Sequence, residues 1–146
     1  MSMSSEMRVK NELRSWELTS DKIIIDTDIF VDHLRGIKEA KDYLRKFEME
    51  EITGYISIIT VSELASGKSV SLLSEKTKVK QLLSLMKHFD IGFKIAWKAG
   101  EIRRKYNCRM IDALIASTAL IHNLMLATRN IKHFKMIEDL QLIKPY

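Results

Sequence analysis

A run of isoleucines that ends in a carboxylate constrains this chain more than any other stretch of it. Residues Ile23 to Ile25 are β-branched and apolar, and Asp26 and Asp28 follow directly. A short apolar run without polar alternation is typical of a strand that is covered on both faces. We therefore expect residues 22–26 to be the central strand of a parallel sheet, with Asp26 at its carboxyl end in an active site.

The composition describes one folded, soluble domain. Of 146 residues, 46% are hydrophobic and 29% are charged, which argues against disorder. The net charge of +5 suits a polyanionic partner and a plain solvated surface equally well. Cys108 is the single cysteine, so we expect no internal disulfide and a reducing, cytoplasmic setting. Polar residues interrupt the longest apolar stretch, 114–127, which excludes a membrane span there.

Strand and helix patterns alternate along most of the chain. Residues 1–20 are mostly polar and form an expected N-terminal extension, partly disordered, whereas residues 21–146 carry the folded domain. Besides the first, the β-rich runs cover residues 54–59, 90–93, 124–127 and 140–143, with helical patterns between them. The alternation predicts an α/β fold: a mostly parallel central sheet of four to five strands, flanked by helices.

Polar side chains recur where the predicted strands end. Asp26 and Asp28 follow the first strand, Glu63 follows the second, and Asn130 follows the strand at 124–127. Asp112 lies in the first turn of the helix that leads into that strand. Ligands bind at the carboxyl edge of parallel sheets, so we expect these residues to share one cleft.

Carboxylates brought together in one cleft raise one another's pKa, and a divalent cation removes that conflict. No histidine or cysteine clearly joins the set, so its donors are oxygens. Oxygen donors favour magnesium or manganese over zinc. Such an ion activates water and stabilises charge on a phosphodiester, which predicts a hydrolase acting on phosphate esters.

Each of these residues also has a simpler structural interpretation. Asp26 and Asn130 could be helix caps, and Asp112 could only complement a helix dipole. Thr60 and Glu63 match the spacing of a capping box, which would place Glu63 in the first turn of its helix. Their joint position at one predicted edge favours the site.

Four ordered segments resemble a known family. They are Asp26–Gly36, Ile59–Leu64, Ile111–Ala116 and Thr128–Phe134. They are similar, in order and spacing, to the motifs of PIN-domain ribonucleases, in particular the VapC toxins of toxin–antitoxin pairs. The resemblance covers residues 22 to about 143 and implies a single PIN-like nuclease domain.

The resemblance implies a magnesium- or manganese-dependent endoribonuclease. By position, Asp26, Glu63 and Asp112 are the metal-binding catalytic carboxylates, and Asn130 completes the catalytic set. The family often has Asp at the position of Asn130, and Asn or Ser at the position of Asp28. The candidate substrate-binding residues are Thr27, through hydrogen bonds within the site, and Arg109 and Arg129, through RNA phosphates.

The resemblance also implies partners: an RNA substrate, a second copy of the chain in a homodimer, and a small antitoxin protein whose tail enters the pocket. No membrane partner is expected. One alternative is a catalytically weak or inactive PIN-like module that acts through a protein or RNA partner. A phosphoacceptor receiver domain is disfavoured, because Glu63 and Arg129 stand where it needs an acceptor Asp and a Lys.

Overall fold

The computed structural model describes residues 22–146, so the predicted extension lies outside the described residues. In this part of the chain, five strands form one sheet in the order β3-β2-β1-β4-β5, and every neighbouring pair is parallel. The strands are β1 (Lys22–Ile25), β2 (Thr53–Ser57), β3 (Lys87–Phe89), β4 (Met125–Ala127) and β5 (Leu142–Ile143). The prediction that the isoleucine run is the central strand is confirmed.

The central position of β1 follows from its side chains. Ile23 and Ile25 belong to a core cluster on one face of the sheet, whereas Ile24 belongs to a second cluster on the other. None of the three is more than 1% exposed. A strand that lacks a polar face can only be accommodated between two layers of helices.

Seven α-helices supply those layers within residues 22–146. They are α1 (Thr27–Leu34), α2 (Lys38–Glu48), α3 (Ile58–Ala65), α4 (Leu73–Ser84), α5 (Phe93–Tyr106), α6 (Met110–His122) and α7 (Ile131–Phe134), with a 3₁₀ turn at Lys68–Ser71. The α/β prediction is confirmed. No helix in this part of the chain is long and apolar enough to cross a bilayer.

The predicted third strand was misplaced. The strand is Lys87–Phe89 rather than 90–93, and Phe93 instead begins α5 with 84% of its surface exposed. Lys87 and His88 are exposed because β3 is an edge strand, so the expected apolar run is missing. The ring of Phe89 anchors the strand by stacking on Tyr55, with ring centroids 4.9 Å apart.

The predicted capping box was also wrong. Helix α3 begins at Ile58, after Ser57, whose hydroxyl accepts a hydrogen bond from the Ile59 amide at 3.2 Å. Thr60 therefore lies inside the helix, and Glu63 lies in its second turn. Because Ser57 caps the helix, the Thr60 hydroxyl is available for a tertiary contact.

The winding of the sheet reverses beside β1. From β1 the chain moves outward through β2 and β3, then crosses back to place β4 against the opposite edge of β1. The segments that follow β1 and β4 therefore meet, and the Asp26 amide donates to the Ala127 carbonyl at 2.9 Å. Such a reversal is the usual ligand position of an open α/β sheet.

Candidate active site

Asp26 leaves β1 directly into the point of reversal. It is the N-cap of α1, with one carboxylate oxygen accepting from the Thr27 amide at 2.8 Å. The other oxygen accepts from the Thr128 hydroxyl, also at 2.8 Å, across the gap to β4. Asp26 is thus a helix cap, as the simpler structural interpretation predicted. Capping alone does not require the hydrogen bond from Thr128.

The surroundings of Asp26 disfavour its charged form. Burial, followed by the nearby charge of Asp28, raises the pKa of the Asp26 carboxyl from 3.8 to about 7, and the Asp112 charge adds to this. The hydrogen bonds from Thr128 and Thr27 act in the opposite direction but do not outweigh burial. A bound cation would relieve this cost, because it favours the ionised carboxylate.

Thr27, the first residue of α1, holds the carboxylate of Glu63. Its hydroxyl donates to a carboxylate oxygen of Glu63 at 2.6 Å and lies 3.0 Å from the Thr60 hydroxyl. Since the Thr27 proton goes to the carboxylate, Thr60 must donate to Thr27. Helices α1 and α3 are therefore connected through a hydroxyl relay that ends on a half-buried carboxylate.

Asp112 lies in the first turn of α6, close enough to Asp26 for its charge to act on that carboxyl. Its side chain is only 7% exposed, and Arg109 binds both of its oxygens: Nε lies 3.2 Å from one and Nη2 lies 3.4 Å from the other. His133 Nδ1 lies 3.7 Å from the Asp112 carboxylate.

Asn130 lies on the loop after β4, at the N-cap position of α7. Its side chain makes no capping hydrogen bond, and the residue is exposed. Its amide donates to the Thr128 hydroxyl at 3.0 Å, the same hydroxyl that binds Asp26. Thr128 was not among the predicted residues, yet it follows β4 just as Asp26 follows β1.

A second network surrounds Arg129. Asp28 accepts from the Arg129 amide at 3.0 Å, while the guanidinium binds Asp32 and lies over the ring of Tyr146, 5.6 Å from its centroid. The Tyr146 hydroxyl donates to Asp32 at 2.7 Å. Arg129 is thus held by the protein itself, which the sequence did not predict.

The three predicted carboxylates share one electrostatic environment. The pKa of Arg109 is raised first by Asp112, and the charges of Glu63 and Asp26 contribute as well. Within residues 22–146, no group of three or more acidic, histidine or cysteine side chains is arranged so that it could hold a metal ion. Thr27 holds Glu63 and Arg109 holds Asp112, so both carboxylates are hydrogen-bonded within the protein. The oxygen donors fit magnesium or manganese.

The family model of the PIN domain matches residues 23–139. The chain belongs to the PIN-domain family. All four resembling segments begin and end within or close to that match, so the resemblance noted in the sequence is confirmed.

Similar proteins and solved structures identify the branch of the PIN-domain family to which the chain belongs. Ribonuclease VapC10 of Mycobacterium tuberculosis is 33% identical over 124 residues, which cover 82% of this chain and 90% of that protein. A toxin–antitoxin complex from Klebsiella pneumoniae contains a chain with 29% identity and a TM-score of 0.70, covering 85% of this chain and 98% of that one. VapBC2 from Rickettsia felis, bound to a promoter DNA fragment, has 26% identity and the same TM-score, with coverages of 84% and 97%. This PIN domain is of the VapC type.

Proposed function

We propose that this chain is a metal-dependent endoribonuclease that hydrolyses phosphodiester bonds in RNA, as the toxin of a toxin–antitoxin pair. One observation supports the proposal: Asp26, Glu63 and Asp112 lie on three separate segments of the chain, and the charges of all three act on the guanidinium of Arg109. Relatives that are named as VapC ribonucleases support the choice of RNA.

Asp26, Glu63 and Asp112 would hold one magnesium or manganese ion. When bound, the ion would activate a water and stabilise charge on the scissile phosphate. The chain's own contribution is to orient the ligands: Thr27 holds Glu63, and Thr128 holds Asp26. Asn130, on the loop that Thr128 fixes, would complete the pocket at its rim.

The RNA backbone would contact the exposed side of this pocket. Arg109 is 72% exposed and Arg129 is 47% exposed at the side chain, so both guanidinium groups can be reached by a phosphate. Contacts to phosphate position a strand without selecting its sequence. Thr27 is buried and would act on the substrate only through Glu63.

An antitoxin is the proposed protein partner. A surface groove of about 710 Å³ runs between α2 and α4. Its lining includes Leu44, Leu82 and Leu85, and its charged residues are mostly basic: Lys41, Arg45 and Lys78, with Glu48 as the acidic one. Apolar residues with a basic rim suit an acidic, amphipathic peptide. The complexes of Klebsiella pneumoniae and Rickettsia felis support such a partner.

A homodimer is proposed as the working unit. Phe93 and Trp97, on one face of α5, are 84% and 64% exposed, and their rings stack with centroids 6.0 Å apart. Large exposed aromatic pairs commonly mark contact surfaces.

The cytoplasm is the proposed location, because the free thiol of Cys108 is compatible with a reducing compartment.

RNA cleavage by purified variants tests the enzyme. Asp26→Asn and Asp112→Asn should abolish cleavage in magnesium or manganese while circular dichroism shows an intact fold. Asp42→Asn, which changes an exposed carboxylate of α2, is the matched control and should cut normally. Unimpaired RNA cleavage by either Asp26→Asn or Asp112→Asn would contradict the proposed nuclease activity of this site.

A binding module without catalysis is the second candidate, favoured by Asn130 at a position that is often Asp. Titration with manganese separates the two. The enzyme binds manganese and loses that binding in Asp26→Ala, whereas a module that has lost catalysis binds none.

A further inference from the structure

Arg109 occupies an unusual position for an exposed side chain. Its guanidinium lies against both oxygens of Asp112, a carboxylate that is only 7% exposed. The Arg109 side chain is itself 72% exposed. A largely solvated cation therefore covers a buried ligand position, and it can leave without opening the core.

The backbone of Arg109 is fixed by α6, whereas its exposed guanidinium is held through its hydrogen bonds to Asp112. Arg109 is the N-cap of α6, and its carbonyl accepts from the Ala113 amide at 2.9 Å. Its side chain makes no capping hydrogen bond. Arg129 differs, because Asp32 and the Tyr146 ring hold its guanidinium. Of these two arginines, Arg109 is therefore the one that can move.

Arg109 and a metal ion compete for the carboxylate oxygens of Asp112. A magnesium ion lies about 2.0–2.1 Å from its ligand oxygens, where it would repel a guanidinium hydrogen-bonded to the same carboxylate. The charges of Glu63 and Asp26 also act on Arg109, so it is attracted by the same carboxylates that would bind the ion.

We propose that Arg109 is a displaceable internal cation: it binds Asp112 until a divalent ion takes that carboxylate, and the released guanidinium then binds the RNA phosphate beside the ion. The proposal rests on the proposed function of the site. It makes metal and RNA binding mutually reinforcing, because the ion frees the group that the phosphate needs. Arg109 is thus a positioning residue in one state and a substrate contact in the other.

Direct manganese binding to the full chain, measured by electron paramagnetic resonance without RNA, tests the first half. Arg109→Gln should bind manganese about tenfold more tightly than the unchanged protein, because the competing charge-assisted hydrogen bonds are gone. Arg109→Lys should fall between the two. Arg104→Gln, which removes an exposed arginine of α5, is the matched control and should leave the affinity unchanged.

The second half predicts the opposite effect on RNA. At saturating manganese, Arg109→Gln should bind RNA and cleave it about tenfold more weakly than the unchanged protein, for lack of one phosphate contact. Suppose that Asp112→Asn abolishes manganese binding but Arg109→Gln binds manganese no more tightly than the unchanged protein. The proposed displacement of Arg109 is then wrong, whereas the proposed nuclease activity is not contradicted. If the unchanged protein binds no manganese, both fail together.

Discussion

The Thr128 hydroxyl, at the end of β4, donates a 2.8 Å hydrogen bond to the carboxylate of Asp26, at the end of β1. These residues are 102 positions apart in sequence, yet each follows its strand directly. The same hydroxyl accepts from the Asn130 amide, so it ties the loop after β4 to the central carboxylate.

Thr128→Val should therefore destabilise the protein. The residue is fully buried, and valine removes the hydrogen-bond partner of one Asp26 carboxylate oxygen and of the Asn130 amide. We expect the free energy of unfolding to fall by about 2–3 kcal/mol in urea denaturation. Thr77→Val is the control, because Thr77 is exposed on α4 and bonds only to Leu73, and its loss should stay below about 0.5 kcal/mol.

The raised pKa of Asp26 predicts a pH dependence of stability. Between 3.8 and about 7 the folded protein holds a proton that the unfolded chain has released, so stability falls as the pH rises. Without metal, Asp26→Asn should gain about 2–3 kcal/mol relative to the unchanged protein between about pH 5 and about pH 8. Urea denaturation in a chelator measures this, and a constant difference would show that Asp26 is ionised throughout.

The hydroxyl relay at Thr27 predicts a split between two substitutions. Thr27→Ser keeps the donor to Glu63 and should leave RNA cleavage within about threefold, whereas Thr27→Val should reduce it by about 10–100-fold. Initial rates at saturating manganese provide the comparison. If Thr27→Val cleaves RNA as fast as Thr27→Ser, the hydroxyl relay to Glu63 is not needed for cleavage.

The network at Arg129 predicts a smaller effect. Tyr146→Phe removes the hydroxyl that donates to Asp32 but keeps the ring beneath the guanidinium. The free energy of unfolding should fall by about 1 kcal/mol, and RNA cleavage should be retained. Loss of cleavage without loss of stability would mean that the network sets the position of Arg129 on the substrate.

The sequence identified the parts of this structure that depend on a local pattern. The isoleucine run predicted the central strand because a strand without a polar face has only one place in a sheet. Asp112 was placed correctly in the first turn of its helix, whereas Glu63, expected in a first turn, lies in the second turn of α3.

Contacts between distant segments could not be read in the same way. Thr60 looked like a cap because its spacing to Glu63 fitted one, and only the fold shows that Ser57 takes that role. The hydrogen bond of Tyr146 to Asp32 spans 114 positions and leaves no periodic signal. Strand β3 was misplaced since an edge strand tolerates Lys87 and His88.

The order in which the strands are wound has a consequence for synthesis. Asp26 and Glu63 are made early, but Asp112 and the hydroxyl of Thr128 are added late in translation. A ribosome must therefore extrude almost the whole domain before the pocket can assemble. Fragments released before residue 112 lack Asp112, the last of the three carboxylates, and under the proposed function they should leave RNA intact.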